Sequence, residues 1–254
     1  MADGSSVRAN FAPHLPHLRR YARALTGSQR SGDAYVRMAL ETLLTAPEAD
    51  PYADGLPPRV ALFHLFDSVA PDILVVGPEH MPKGGMQALL LTEVEEFTPD
   101  EAAQILGLPV DDIAAMVEGA KVAIFDTIRS RVLIIEDEPM IAMHLEQIVE
   151  DMGHEVSGMA MTHADALIRA HEVDPELVLA DIQLADGSSG LEAAQDILQS
   201  FDVPVVFITA YPERLLTGER PEPTYLVTKP FKVETVVATI GQALLSRRFK
   251  AVGP

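Results

Sequence analysis

The distribution of apolar residues changes about halfway along the chain. Up to about Ser130, apolar residues recur at helical spacing, as in the segments 11–25 and 28–44. From Val132 onward, short continuous apolar runs alternate with helical patterns. The first half is therefore predicted to be all-α, and the second to alternate between strands and helices.

The clearest helix boundary in the first half is Thr98-Pro99-Asp100-Glu101. Thr98 can cap a helix, Pro99 suits the first helical position, and Glu101 can complete a capping box. This helix should end at Gly107, and another should run over 111–127, which gives a helix-turn-helix outline. Further helices are predicted at 59–69 and 86–96, between segments rich in Pro and Gly.

The second half has the pattern of a doubly wound α/β domain. Strands are predicted at 132–135, 155–159, 177–180, 204–208 and 225–228. Helices are predicted near 138–151, 162–172, 188–200, 211–216 and 233–246. Continuous apolar strands separated by helices indicate a five-stranded parallel sheet that is covered on both faces. We expect three domains: 1–75 and 76–130, both helical, and 131–254.

Polar residues follow four of the predicted strands. Glu136 and Asp137 follow the first, Asp181 the third, Thr209 the fourth and Lys229 the fifth. Ligands of such sheets bind at the carboxyl ends of the strands, so these side chains should converge there. Three carboxylates, a hydroxyl and an amine can together hold a divalent metal and a phosphoryl group.

The chemistry of this edge favours a phosphorylated aspartate. Mg²⁺ binds through one or two carboxylates plus phosphate oxygens, and an aspartate can form an acyl phosphate. Asp181 is the candidate nucleophile, Lys229 can offset the developing charge, and Thr209 can donate a hydrogen bond to a phosphoryl oxygen. An aspartate phosphatase would need a second acid two residues after Asp181. Gln183 stands there, so we do not expect an enzyme.

Residues 131–248 resemble the receiver domain of two-component response regulators. The stretches that carry the resemblance are Ile134-Ile135-Glu136-Asp137-Glu138, Leu179-Ala180-Asp181-Ile182-Gln183-Leu184, Phe207-Ile208-Thr209-Ala210 and Thr228-Lys229-Pro230-Phe231. The resemblance implies that Asp181 accepts a phosphoryl group from a sensor histidine kinase or a phosphotransfer protein.

The same resemblance implies a ligand set for Mg²⁺. Glu136, Asp137 and Asp181 would hold the ion, with the backbone carbonyl of Gln183 as a further ligand. Thr209 and Lys229 would read the phosphorylated state. The bond between Lys229 and Pro230 is expected to be cis.

One position departs from many receivers, which carry an aromatic switch residue three positions before the lysine. Leu226 occupies that position, and Tyr225 precedes it. Because strand side chains alternate between faces, Tyr225 should point to the opposite face of the sheet. The usual coupling between Thr209 and an aromatic residue is therefore not expected.

The composition of the chain is strongly acidic, with 38 Asp and Glu against 19 Lys and Arg. A net charge of −19 opposes binding to nucleic acid and to membrane headgroups, and it suits a basic protein partner. The sequence has no cysteine, no apolar run of membrane-spanning length, and no signal-peptide pattern at its first residues. We therefore expect a cytoplasmic protein.

Residues 82–128 resemble the promoter-recognition region of extracytoplasmic-function sigma factors, and residues 10–75 more loosely resemble their polymerase-binding region. A helix that reads DNA should carry Lys and Arg. From 82 to 130 the basic residues are only Lys83, Lys121 and Arg129. The acidic residues of the same segment are Glu93, Glu95, Glu96, Asp100, Glu101, Asp111, Asp112, Glu118 and Asp126.

The whole chain, a sigma-like half followed by a receiver, is similar to the PhyR-type general stress response regulators. This resemblance implies an anti-anti-sigma factor. Phosphorylation of Asp181 would release the sigma-like half to bind an anti-sigma factor of the NepR type, which frees a stress sigma factor. The alternative is a DNA-binding response regulator with a sigma-like output, which the acidic helix at 111–127 disfavours.

Overall fold

The structure is a computed structural model that describes residues 10–45, 55–69, 78, 80–127, 129–184, 186–212 and 223–248. Most of the helix predicted at 211–216 lies outside these residues. The chain forms two compact units, one up to Ala120 and one from Lys121 to Lys250. This division falls inside a helix, and the domain boundaries at 75/76 and 130/131 stay predictions.

The described part of the first unit is helical, as predicted. After a short 3₁₀ turn at Ala12–His14, its elements are α1 (Leu15–Thr26), α2 (Gln29–Thr45), α3 (Pro58–Val69), α4 (Gly85–Leu89), a π-helical turn (Leu90–Val94), α5 (Pro99–Leu106) and α6 (Val110–Thr127). Its core includes an aromatic group in which Phe63 lies 5.4 Å from Tyr21 and 4.9 Å from Phe97 between ring centroids.

The helix predicted at 86–96 is shorter and less regular than expected. The α-helical part ends at Leu89, and the chain then widens into the π-helical turn. Glu95 closes this turn, since its N–H donates to the carbonyl of Leu90 at 2.9 Å. Apolar spacing alone does not distinguish these two kinds of turn, so the sequence could not have predicted the change.

The start of α5 confirms the predicted capping box. The hydroxyl of Thr98 accepts from the N–H of Glu101 at 3.2 Å, and the carboxylate of Glu101 accepts from the N–H of Thr98 at 2.8 Å. The helix ends at Gly107, whose φ of 64° lies in the left-handed region that glycine adopts without steric cost.

The second unit is the predicted doubly wound α/β fold. Its elements are β1 (Arg131–Ile135), α7 (Pro139–Asp151), β2 (Glu155–Ala160), α8 (His163–Val173), β3 (Leu177–Ala180), α9 (Gly190–Ser200), β4 (Val205–Thr209), β5 (Tyr225–Thr228) and α10 (Val233–Arg248). The five strands are parallel and lie in the order β2-β1-β3-β4-β5. In this order, the chain reverses direction across the sheet between β1 and β3, where such folds bind ligands.

Helices cover both faces of this sheet, as the apolar strands predicted. α7 and α10 pack on one face, and α8 and α9 pack on the other. The core on the α8 and α9 side includes Leu133, Val178, Phe207 and Leu226, all buried. Because side chains alternate along each strand, both faces supply apolar residues, and apart from Ser157 of β2 the polar residues of the strands stand at strand ends.

Candidate functional site

A cavity of about 430 Å³ opens at the carboxyl edge of the sheet. Its lining residues come from the loops after β1, β3, β4 and β5: Asp137, Glu138, Asp181, Gln183, Leu184, Ala210, Tyr211 and Lys229. The structure therefore brings together most of the residues that the sequence assigned to one site.

Backbone pairing fixes the acidic residues at this edge. Asp181 directly follows β3, and its N–H donates to the carbonyl of Ile135 at 2.9 Å. Glu136 directly follows β1, and its N–H donates to the carbonyl of Ala160 at 2.9 Å. Both carboxylates thus extend from the last rungs of the ladder, where the backbone is held by hydrogen bonds on neighbouring strands.

Lys229 joins the two acidic loops. Its Nζ donates to Oε2 of Glu136 at 2.8 Å and to Oδ2 of Asp181 at 2.7 Å. Its backbone N–H donates to the carbonyl of Thr209 at 2.8 Å, which places the lysine beside β4. The peptide bond to Pro230 is cis, as expected.

The pKa values of the paired groups reflect burial and charge. Burial raises the pKa of Glu136, and its hydrogen bond with Lys229 only partly offsets this effect. Burial lowers the pKa of Lys229, but its hydrogen bonds to Asp181 and Glu136 outweigh burial and raise the value overall. Lys229 is therefore an ammonium at neutral pH, and it can offset negative charge that develops on Asp181.

Three carboxylates could share a metal ion at this edge. Glu136, Glu138 and Asp181 each place one oxygen so that all three lie within 4.8 Å of one another. Oxygen donors of this kind suit a hard divalent cation such as Mg²⁺. Glu138 was missed by the sequence reasoning, although it is the third member of the acidic run that begins at Glu136. Asp137 lines the cavity, and its part in holding the ion stays a prediction.

Thr209 lies at the same edge but does not line the cavity. It is the last residue of β4 and is completely buried, and its hydroxyl accepts from the N–H of Tyr211 at 3.2 Å. Ala210 and Tyr211 line the cavity in its place. Tyr211 was also missed, and its position two residues after Thr209 was the only signal for it.

The orientation of Tyr225 is confirmed. The side chain is buried and hydrogen-bonds with Ser246 of α10, and burial raises its pKa to about 12. Leu226 belongs to the core on the opposite face, with α8 and α9. An aromatic side chain is thus absent from position 226, and the tyrosine beside it contacts a different helix.

The exposed surface of α6 is acidic up to Gly119, as the sequence indicated. Asp111, Asp112 and Glu118 are exposed, and no Lys or Arg occurs between Val110 and Ala120. Ala114 and Ala115 are exposed between them. This surface would repel phosphate and offers apolar area to a protein. Among the described helices, none has both the length and the apolarity that crossing a membrane requires.

The receiver fold and its acidic cavity, together with a separate helical unit, define a two-component response regulator. Family-level sequence models agree: the response regulator receiver domain matches residues 132–241, the sigma2 domain of PhyR matches 11–67, and the sigma-like domain of the response regulator PhyR matches 85–125. The phyllosphere-induced regulator PhyR of Methylorubrum extorquens is 47% identical over 246 residues, which cover 91% of each chain. The chain belongs to the PhyR family of response regulators.

Solved structures of PhyR proteins resemble the whole chain. PhyR from Brucella abortus has a TM-score of 0.86 and 48% identity, and the match covers 97% of both chains. The anti-anti-sigma factor PhyR from Bartonella quintana has a TM-score of 0.83 and 46% identity, over 95% of this chain and 97% of that one. The fold class predicted for both halves is therefore confirmed.

Proposed function

We propose that the chain is an anti-anti-sigma factor that phosphorylation activates. The observation that carries this proposal is the acidic surface of α6, the helix that a sigma factor would use to bind DNA. That surface suits a protein partner, and the relative from Bartonella quintana is named an anti-anti-sigma factor. The partner would be an anti-sigma factor of the NepR type, and its capture frees a stress sigma factor.

Asp181 is the proposed phosphoacceptor. A carboxylate oxygen of Asp181 forms a bond to phosphorus as the bond between phosphorus and the donor nitrogen of a phosphohistidine breaks, and the imidazole leaves with the electron pair. The donor is a sensor histidine kinase or a phosphotransfer protein. Lys229 lies 2.7 Å from Asp181 and can offset the charge of the acyl phosphate.

Mg²⁺ is the proposed cofactor of this edge. Glu136, Asp137, Asp181 and the backbone carbonyl of Gln183 would hold it, with the carboxylate of Glu138 nearby. When bound, the ion supplies positive charge that stabilises the phosphoryl oxygens. The donor set consists of oxygens, which is the preference of this ion.

Binding of the anti-sigma factor would follow from a change in the hydrogen-bond acceptors of Lys229. A phosphoryl group adds a charge of about −1.5 to −2 beside an ammonium that is already shared between Glu136 and Asp181. Lys229 and Thr209 would rearrange around the new oxygens and shift an existing equilibrium toward a state in which the sigma-like half binds its partner. A shift from 1:99 to 99:1 requires about 5.5 kcal/mol of differential interaction.

Residues 1–75 and 76–130 would be two sigma-like domains, and residues 131–254 the receiver. The protein would act in the cytoplasm as a regulator and not as an enzyme, because Gln183 stands where an aspartate phosphatase would need an acid.

A pull-down with a NepR-type anti-sigma factor tests this function. The full chain is expected to retain the partner when a small-molecule phosphodonor and Mg²⁺ are present, and to lose it when either is omitted. Asp181→Ala should fold and never retain the partner, whereas Asp151→Ala, at an exposed position of α7, should behave like the parent chain. Equal retention with and without the phosphodonor would refute the proposal. Specific duplex binding in a low-salt gel shift would support the DNA-binding alternative.

A further inference from the structure

A buried ion cluster lies in the first unit, away from the acidic cavity. We call Glu95, Arg20 and Arg59 the Glu95 clasp. The side chain of Glu95 has no solvent exposure, and Arg20 binds it with two parallel hydrogen bonds. Nε of Arg20 donates to Oε1 at 2.8 Å, and Nη2 donates to Oε2 at 2.9 Å. The same Nη2 lies 3.3 Å from the carbonyl of Val94.

Arg59 completes the clasp from a second helix. Its Nη2 donates to the backbone carbonyl of Glu95 and lies 3.5 Å from the carboxylate. Its guanidinium also lies 4.1 Å from the centre of the Phe97 ring. His17 approaches from α1, with Nδ1 3.5 Å from Oε2 of Glu95. The carboxylate and the backbone carbonyl of Glu95 thus bring together α1, α3 and the turn after the π-helical segment.

The members of the clasp come from two different segments of the chain. Arg20 and Arg59 lie in the segment that matches the sigma2 domain of PhyR, residues 11–67. Glu95 lies in the segment that matches the sigma-like domain, residues 85–125. Residues 11–67 and 85–120 belong to the first compact unit, so noncovalent contacts between them set their relative orientation.

Apolar contacts also join these segments, but they constrain orientation less. The Phe63 and Phe97 rings lie 4.9 Å apart, and α3 packs on α5. Apolar packing is non-directional and tolerates repacking when volume is conserved. A bidentate pair between guanidinium and carboxylate has one favourable geometry. Buried ion pairs often add little net stability compared with apolar residues, so orientation is their clearer contribution.

The backbone around Glu95 is irregular in a way that presents this side chain. The turn before it is π-helical, and Glu96 has a φ of 56°, in the left-handed region that residues other than glycine rarely adopt. Such backbone costs free energy, and it persists where surrounding contacts fix it. Here it ends the helix so that the Glu95 carboxylate lies against Arg20.

We propose that the Glu95 clasp fixes the orientation of the two sigma-like segments and thereby pre-assembles one surface, built from both, that binds the anti-sigma factor. Its three residues are positioning residues, because the Glu95 carboxylate that they share is fully buried. This inference rests on the proposed function for its binding role. The orientation that the clasp imposes is a separate property, which can be measured without any partner.

The orientation is tested by a distance between two spin labels. The chain has no cysteine, so Ser68→Cys in α3 and Ala115→Cys in α6, both at exposed positions, can be labelled specifically. In the otherwise unchanged chain, the distance distribution should be narrow. Replacing the pair by apolar residues, Arg20→Met with Glu95→Met, should keep the helical content and broaden the distribution at least twofold.

A matched control removes an ion pair that lies inside one segment. Arg23 binds Asp33 through hydrogen bonds of 2.9 and 3.1 Å, and both residues lie within 11–67. Arg23→Met with Asp33→Met should leave the distribution of distances between α3 and α6 as narrow as in the parent chain. Arg20→Lys keeps the charge and loses the parallel hydrogen bonds, so it should broaden the distribution partially. This single variant provides the test if the variant with Arg20→Met and Glu95→Met does not fold.

Binding is then measured with a NepR-type anti-sigma factor, a small-molecule phosphodonor and Mg²⁺. The clasp variant should bind at least tenfold more weakly than the parent chain, and Arg20→Lys should fall between them. A distribution as narrow as that of the parent would overturn the inference, and so would a broadened variant with unchanged affinity. If the parent itself fails to bind, the proposed function fails, and the label distances still decide whether the clasp sets the orientation.

Discussion

The position of the Asp181 carboxylate depends on a residue without a side chain. Gly190, the first residue of α9, approaches the backbone of Asp181 so closely that a Cβ built on it would lie 1.8 Å from the Asp181 carbonyl oxygen. The N–H of Gly190 donates to the carbonyl of Ile182 at 3.0 Å, which holds the two segments together. The loop after β3 is therefore folded back onto the start of α9, and only glycine fits at that contact.

We expect Gly190→Ala to slow phosphorylation of Asp181 by at least tenfold. The methyl group would clash with the Asp181 carbonyl, so the backbone at Asp181 must shift relative to Lys229, and overpacking of this kind costs about 1–3 kcal/mol of stability. The rate is measured by incorporation of phosphate from a small-molecule phosphodonor. Gln195→Ala, at an exposed position of the same helix, is the control and should leave the rate unchanged. A normal rate in Gly190→Ala would show that this contact does not position Asp181.

Position 226 carries no aromatic side chain, and the tyrosine before it connects β5 to α10. The Tyr225 hydroxyl hydrogen-bonds with Ser246, and the Ser246 hydroxyl also accepts from Nε2 of Gln242 at 3.1 Å. α10 is buried at every position from Ala238 to Leu245, and Ser246 directly follows this buried run. A shift of β5 at Lys229 would therefore act on α10 through this hydrogen bond.

Tyr225→Phe keeps the ring and removes only the hydroxyl. The variant should lose about 1 kcal/mol of stability, because one buried hydrogen bond disappears. It should also reduce the ratio between the amount of anti-sigma factor retained with the phosphodonor and the amount retained without it. Thermal unfolding and the pull-down measure the two effects. If the two side chains are coupled through their hydrogen bond, the double variant Tyr225→Phe with Ser246→Ala should lose less stability than the two single variants lose together. Strict additivity would argue against coupling through this pair.

The whole molecule is acidic, yet the ion clusters around Lys229 and around Glu95 have different electrostatic character. In the receiver, burial dominates and raises the pKa of Glu136. In the first unit, burial opposes the ionisation of Glu95, but Arg20 and the hydrogen bond with His17 outweigh it and lower its pKa to about 2. The first unit therefore contains an acid that stays ionised far below neutral pH.

Acid should destabilise the first unit through this group. Its folded pKa of about 2 lies below its ordinary value of 4.5. Ionised Glu95 therefore stabilises the fold above pH 4.5, and this contribution is lost as the pH falls toward 2. A difference of this size corresponds to about 3 kcal/mol. Denaturant unfolding between pH 5 and pH 2 should show this loss, and the variant with Arg20→Met and Glu95→Met should show a shallower dependence. If the free energy of unfolding depended equally on pH in both proteins, Glu95 would not be the source of the loss.

Local sequence patterns determined most of the fold. The capping box at Thr98 and the five apolar strands were predicted close to their observed bounds, because these features depend on neighbouring residues and on alternation between two faces. The convergence of Glu136, Asp181 and Lys229 was also predictable, since parallel strands end at a common edge. The acidic character of α6 could be predicted from its residue types alone.

Tertiary structure alone decided the remaining features. Glu138 and Tyr211 reach the cavity and the Thr209 hydroxyl does not, because the directions of side chains in loops depend on contacts that periodicity does not encode. From the sequence, Glu95 would be predicted to be one more surface acid in an acidic segment. Its polar contacts instead join it to Arg20 and Arg59, 75 and 36 positions away. A sequence shows which residues carry charge, whereas only the packed chain shows which charges are buried together.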